Sequence, residues 1–174
     1  TNLMGVTDGH IFFDSNIYYK GRRPSVNIAL SVTRVGRQSQ LRVKRHITRE
    51  LTSFFTVFDK MQTYSHFGAE LSETVRGILQ TGDKIYKFFN QPYALIIPEE
   101  VQLILFTMLW YKLIEGDIDV WLDSYRVNLT KNSSDPEVKK FLIQILAAET
   151  FNDLLGNVSK HKEEIISLCK KNTG

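Results

Sequence analysis

Ile47-Thr48-Arg49-Glu50-Leu51-Thr52-Ser53-Phe54-Phe55-Thr56-Val57-Phe58-Asp59-Lys60-Met61 decides the fold class. Ile47, Leu51, Phe54, Phe58 and Met61 recur at steps of four, three, four and three. That spacing sets them on one stripe of an α-helix. Arg42, Lys44, Arg45 and Arg49 take up much of the early surface around it. Downstream the period stays helical. A pair of short helices is expected over about 70–79 and 83–89, broken at Thr81-Gly82. Pro98-Glu99-Glu100 reads as a helix start, because proline suits the first turn and acids favour the positive end of the dipole. The helix it opens should run to Ile114, buried on nearly all sides, with Gly116 to stop it. Another is expected around 119–129. Ser134-Asp135-Pro136-Glu137 then starts a helix carrying Phe141, Leu142, Ile145, Leu146, Ala148, Phe151 and Leu155, ended by Gly156. A last helix holds Ile165, Ile166, Leu168 and Cys169. The class is mainly α: a bundle of six or seven helices over residues 37–174.

Upstream of Gly36 the signals are strand and turn. Leu3–Val6 and Ile11-Phe12-Phe13 flank Asp8-Gly9, a turn-prone pair. Val26, Ile28, Leu30 and Val32 alternate with Asn27, Ala29, Ser31 and Thr33, a period of two that predicts a strand with one aliphatic face. Three short strands are too few to stand alone as a sheet. Residues 1–36 therefore read as a β remnant, the edge of something larger.

The chain has 174 residues, 43% of them apolar and 24% charged, which excludes a disordered chain and supplies a real core. Its one cysteine, Cys169, has no partner for an internal disulfide, and one cysteine with four scattered histidines offers no metal framework. The apolar run 101–114 is too short to span a bilayer, and Thr1–Lys20 lacks the pattern of a signal peptide. A soluble chain in a reducing compartment is the expectation. The net charge of +3 hides an asymmetry: residues 1–50 hold nine basic against three acidic side chains, the remainder thirteen against sixteen. The basic third suggests an anionic partner, unless it is simply a solvated helix face. Gly77-Ile78-Leu79-Gln80-Thr81-Gly82-Asp83-Lys84 has the glycine spacing of a phosphate-binding loop. Asp83 stands where the lysine must be, however, and the segment follows helical sequence, so it is rejected. Asn128, Asn132 and Asn157 begin N-x-S/T tripeptides, which are common by chance. His10, His46, His66, His161 and Cys169 form no local nucleophile–base pattern. Arg34 is different. It ends a strand just before Gly36, where a guanidinium fork is either salt-bridged at a domain edge or aimed at a phosphate outside this chain.

Four stretches carry a resemblance: Thr1-Asn2-Leu3, Val6–Asp14, Gly21–Asn27 and Leu30–Gly36. With His66–Leu71, Tyr93 and Glu99-Glu100 more weakly, they resemble the alpha subunits of F-type ATP synthases. The resemblance implies the C-terminal part of such a subunit: residues 1–36 as the terminal strands of its nucleotide-binding domain and 37–174 as its helical bundle, hydrolysing nothing alone. By position it makes Arg34 an arginine finger reaching the nucleotide phosphates of a neighbouring beta subunit. It makes Ser31 a serine tied to activity and cooperativity. Arg23 and Pro24 match residues lining the adenine pocket of the alpha subunit's non-catalytic site. Two glutamines that close that pocket in the family fall, counted back from Tyr93, on Asn90 and Pro92. Asn90 keeps a shortened amide, whereas Pro92 has no side-chain donor. Arg37 also departs from the family's small residue. The implied cofactor is ATP or ADP with magnesium at the assembled interface, none of it held by this chain alone. Beta subunits, the central-stalk gamma subunit and a peripheral-stalk delta-type subunit are the implied partners. Neither nucleic acid binding nor membrane insertion is implied. The implied location is peripheral, on the cytoplasmic face of a bacterial membrane or the matrix side of the inner mitochondrial membrane. Two alternatives remain: a basic helical nucleic-acid-binding module using Arg42, Lys44, Arg45 and Arg49, and a free-standing alpha-derived scaffold or inhibitor.

Overall fold

The computed structural model describes residues 6–28, 30–33, 36, 40–65, 72–91 and 94–171. The chain divides into two compact units, Thr1–Gln91 and Pro92–Gly174. The division lies within the stretch that the sequence assigns to one bundle.

In the first unit β1 (Gly9–His10) pairs antiparallel with β2 (Val32–Thr33), Gly9 opposite Thr33 and His10 opposite Val32. An isolated bridge joins Phe13 to Val26. The expected strand across 26–32 is thus interrupted. The Asn27 carbonyl accepts from Ser31 N at 3.1 Å and from Ser31 Oγ at 2.6 Å, while Asn27 Oδ1 accepts from Leu30 N at 3.2 Å. Asparagine competes for local backbone groups, and here its turn overrides the aliphatic alternation. A short helix, α1 (Ser15–Tyr19), which the sequence reading lacks, starts at Asp14, whose carboxylate accepts from Asn16 N.

The stripe at Ile47 lies on α2 (Arg42–Ser65), with Val43, Ile47, Phe55 and Phe58 buried. The two short helices expected after it are one, α3 (Glu73–Phe89), which runs straight through Thr81-Gly82. Gly82 is a packing residue, not a break. A Cβ there would run into the ring of Phe58, so the missing side chain lets α2 and α3 approach closely. Gly77–Lys84 is helical throughout, with no nest of N–H groups to cradle a phosphate.

The second unit is built on α4 (Glu99–Trp110), which packs against α5 (Ile118–Asn132), α6 (Pro136–Ile145) and α7 (Phe151–Lys160). Val101, Ile104, Leu105, Phe106 and Met108 are all buried, as the apolar run predicts. The helix ends earlier than expected, at Tyr111, where Lys112 takes a φ of 54° and Leu113 N returns to Met108 O at 2.8 Å. The single helix expected from Glu137 to Leu155 is two. Thr150 and Asp153 form a reciprocal capping box that restarts the chain as α7, and Gly156 lies inside it. α8 (Lys162–Lys170) closes on α5.

Seven helices, α2 to α8, therefore follow a short β segment among the described residues. The three sequon asparagines tie helix ends together within the second unit. Asn128 Nδ2 donates to Cys169 O at 2.8 Å, Asn132 Nδ2 to Leu168 O at 2.8 Å and Lys171 O at 3.2 Å, and Asn157 Nδ2 to Ile145 O at 3.0 Å. Each amide satisfies a carbonyl at or near a helix C-terminus, where helices leave acceptors unpaired. Asn132→Ala should cost about 1–3 kcal/mol, because two carbonyls beside a buried site lose their donor. Urea denaturation of the variant measures the loss; an unchanged midpoint would mean that water replaces the amide.

Candidate functional site

The structure brings together Arg23, Pro24 and Asn90 from opposite ends of the first unit. Arg23 N donates to Asn90 Oδ1 at 2.9 Å, and Gln91 N donates to Arg23 O at 2.9 Å. These two bonds staple the Arg23-Pro24 turn, with its cis peptide, onto the C-terminus of α3. The side-chain oxygen of Asn90 thereby accepts a hydrogen bond from within the chain. The guanidinium of Arg23 folds back on α1: its carbon lies 3.6 Å from the Tyr18 ring centroid, and Nη1 donates to Tyr18 O at 2.8 Å and Arg22 O at 3.0 Å. Such stacking holds the arginine while leaving its charge at the surface.

Ser31 has a fixed hydroxyl. Its Oγ donates to Asn27 O at 2.6 Å and accepts from Phe12 N at 3.1 Å, joining both arms of the β segment. Asn27 Nδ2 in turn donates to Asp14 Oδ2 at 3.1 Å. That amide, followed by the Asn16 N–H, holds the Asp14 carboxyl below its ordinary value, since both bonds favour the charged form. Arg34 and Pro92 lie outside the described residues.

Beside the staple a cleft of about 500 Å³ opens along Lys20, Arg22, Asp59, Tyr86, Lys87 and Asn90. Burial, then the nearby Asp59 charge, raises the Tyr86 phenol, and Arg22 opposes the rise. Neither Arg22 nor Tyr86 is a site candidate in the sequence reading. Nothing in their spacing pairs a turn with a helix 64 residues downstream. On α2, Arg42, Arg45 and Arg49 are exposed and Lys44 is half-buried. Arg45 and Arg49 line a second groove of about 370 Å³ with Thr48 and Thr52. In the second unit, burial pushes the Cys169 thiol up to about 12, which suits packing and not nucleophilic chemistry. Among the described residues no group of His, Cys, Asp and Glu could hold a metal, and no helix is long and apolar enough to cross a membrane.

A short β segment, a close pair of helices and a five-helix cluster are what the fold defines. Residues 40–125 match the family described as ATP synthase alpha/beta chain, C terminal domain. Among curated relatives it is similar to the ATP synthase subunit alpha of Neorickettsia sennetsu, 33% identical over 105 residues, 60% of this chain and 21% of the relative. It is 26% identical to the ATP synthase subunit alpha of Mycoplasmopsis synoviae over 171 residues, 98% of this chain and 32% of that one. The mitochondrial ATP synthase subunit alpha of Schizosaccharomyces pombe matches at 32% over 106 residues, 60% of this chain and 20% of its own length. The resemblance read from the sequence holds: this chain corresponds to a C-terminal portion of an ATP synthase alpha subunit. It spans about a fifth to a third of the length of these relatives.

Proposed function

We propose that this chain works as the C-terminal part of an alpha subunit in a rotary ATP synthase or ATPase. In that role it presents Arg34 to ATP or ADP with magnesium in a neighbouring beta subunit, while its helices pack against adjoining subunits around a central stalk. The match of residues 40–125 to the alpha/beta C-terminal domain carries the reading. The Ser31 hydroxyl supports it, being fixed by two hydrogen bonds three residues before Arg34. Partners on this reading are the beta, gamma and delta-type subunits, in a complex held peripherally at a membrane that moves protons.

The chain's own contribution to a non-catalytic nucleotide site is small. Asn90 Oδ1 is taken by Arg23 N, Pro92 offers no donor, and no phosphate cradle exists among the described residues. The isolated chain should therefore hydrolyse no ATP and bind it only weakly. Calorimetry finding submicromolar ATP affinity would contradict this. The positive test is co-purification: a tagged copy expressed in its source cell should bring down beta and gamma subunits together. Its failure, combined with capture of a labelled DNA duplex that weakens steeply with salt, would favour the basic face of α2 as a nucleic-acid surface.

A further inference from the structure

We propose that Arg22 is a positioning residue that clamps the Ser31-bearing turn to the α2–α3 pair through Tyr86. The guanidinium carbon of Arg22 lies 4.8 Å from the Tyr86 ring centroid, and Nη2 of the same group donates to Val26 O. One planar side chain thus reaches both the Tyr86 ring of α3 and a carbonyl of the turn. A lysine has no equivalent geometry.

Each end of the clamp is anchored. Tyr86 stacks on Phe55, centroids 5.0 Å apart and planes at 29°, and meets Phe58 edge-on at 5.3 Å. Phe58 is fully buried against Gly82, so the ring that Arg22 lies on is fixed by both helices. On the other side, Val26 bridges to Phe13 and precedes Asn27, whose carbonyl takes both the N–H and the hydroxyl of Ser31. Asn27 N itself donates to Phe12 O at 2.8 Å, and Ser31 Oγ accepts from Phe12 N. The position of Val26 therefore sets that of Asn27, and Asn27 sets Ser31. The Arg23–Asn90 staple holds the turn at the end of α3, but it leaves Val26 untouched. Arg22 alone among these ties reaches the carbonyl next to Asn27.

The clamp stands on this geometry, whereas its effect on turnover rests on the alpha-subunit reading above. Hydrogen exchange of individual amides in the full chain separates the two, since it needs no other subunit. Arg22→Ala should speed exchange at Asn27, Leu30 and Ser31 by about tenfold, the scale of a part-buried cation–π contact with its hydrogen bond. Tyr86→Leu should do the same, and the double variant should add little to either single change. Arg22→Lys, which keeps the charge and loses the plane, should resemble Arg22→Ala. Amides of α2 and α3 should keep wild-type rates in the Arg22 variants, which a general loosening of the helices would not allow. The ring signals of Tyr86 give an independent readout: its ionisation should move to higher pH in Arg22→Ala. Exchange at the three amides within twofold of wild type, full rescue by lysine, or additive single effects would each overturn the clamp. Failure of the chain to join beta subunits would overturn the alpha-subunit reading and leave the clamp standing.

Discussion

In a complex assembled with this chain, Arg34→Lys should leave subunit composition intact and cut multisite ATP turnover by about 10³-fold or more. The ammonium keeps the charge but loses the planar fork that spans two phosphate oxygens, so the change is not conservative at such a position. A thousandfold loss is about 4 kcal/mol of barrier. An exposed ion pair is worth at most about 1 kcal/mol, and its loss would reduce stability without touching rate. The measurement is steady-state hydrolysis at saturating ATP, with composition checked on the same sample. Turnover within a few-fold of wild type would remove Arg34 from the chemistry. It would leave the family relationship, which rests on residues 40–125, where it is.

Phe58→Ala should be the most destabilising single truncation in the first unit. The ring has no exposed surface, and it meets Tyr86 at 5.3 Å, Phe54 and Phe55 each at 6.3 Å, and the bare backbone of Gly82. Phenylalanine-to-alanine changes at such sites cost about 3–5 kcal/mol, a large share of a domain's total stability of about 5–15 kcal/mol. Gly82 makes the prediction sharper. In the native chain Gly82→Ala should destabilise by about 1–3 kcal/mol, because the new methyl collides with Phe58. In a Phe58→Ala background the collision is gone, and alanine is favoured over glycine in a helix by about 1 kcal/mol. The sign of the Gly82→Ala effect should therefore reverse. Urea titrations of the four proteins measure it, and equal, same-sign effects in both backgrounds would mean that the two helices do not meet at this point.

The parts of the fold legible in the sequence are those in which one pattern acts alone. Ile47, Leu51 and Phe58 announce α2 because nothing local competes with a stripe of that length. The errors fall where a second interaction overrides the first. Gly82 looks like a breaker in isolation and becomes a contact surface only when Phe58, 24 residues earlier, is laid on it. The run from Phe141 to Leu155 has a continuous apolar period, yet Thr150 and Asp153 cap each other in its middle and start a new helix. Val26 to Val32 alternates cleanly, but Asn27 turns the chain with its own carbonyl and amide.

The candidate site divides in the same way. Arg23, Pro24, Ser31 and Asn90 came from family resemblance, and the structure brings Arg23 and Asn90 into direct contact. The contact of Arg22 with Tyr86 is not legible in the sequence, because no motif links a turn to a tyrosine 64 residues on. The three sequon asparagines were visible only as a chance tripeptide, while their amides prove to tie helix ends together.

The apolar girdle of α4 has a consequence for the chain while it is being made. Three of the helices that cover it, α5, α6 and α7, all follow it in sequence, the last ending at Lys160, 50 residues beyond Trp110. At synthesis rates of about 5–20 residues per second, α4 waits about 3–10 s for that cover. Throughout that interval Val101, Ile104, Leu105, Phe106 and Met108 lack the cover that α5, α6 and α7 give them. The helix that anchors the finished second unit is thus made before the three helices that cover it, and slower elongation after α4 leaves the ribosome would delay that cover.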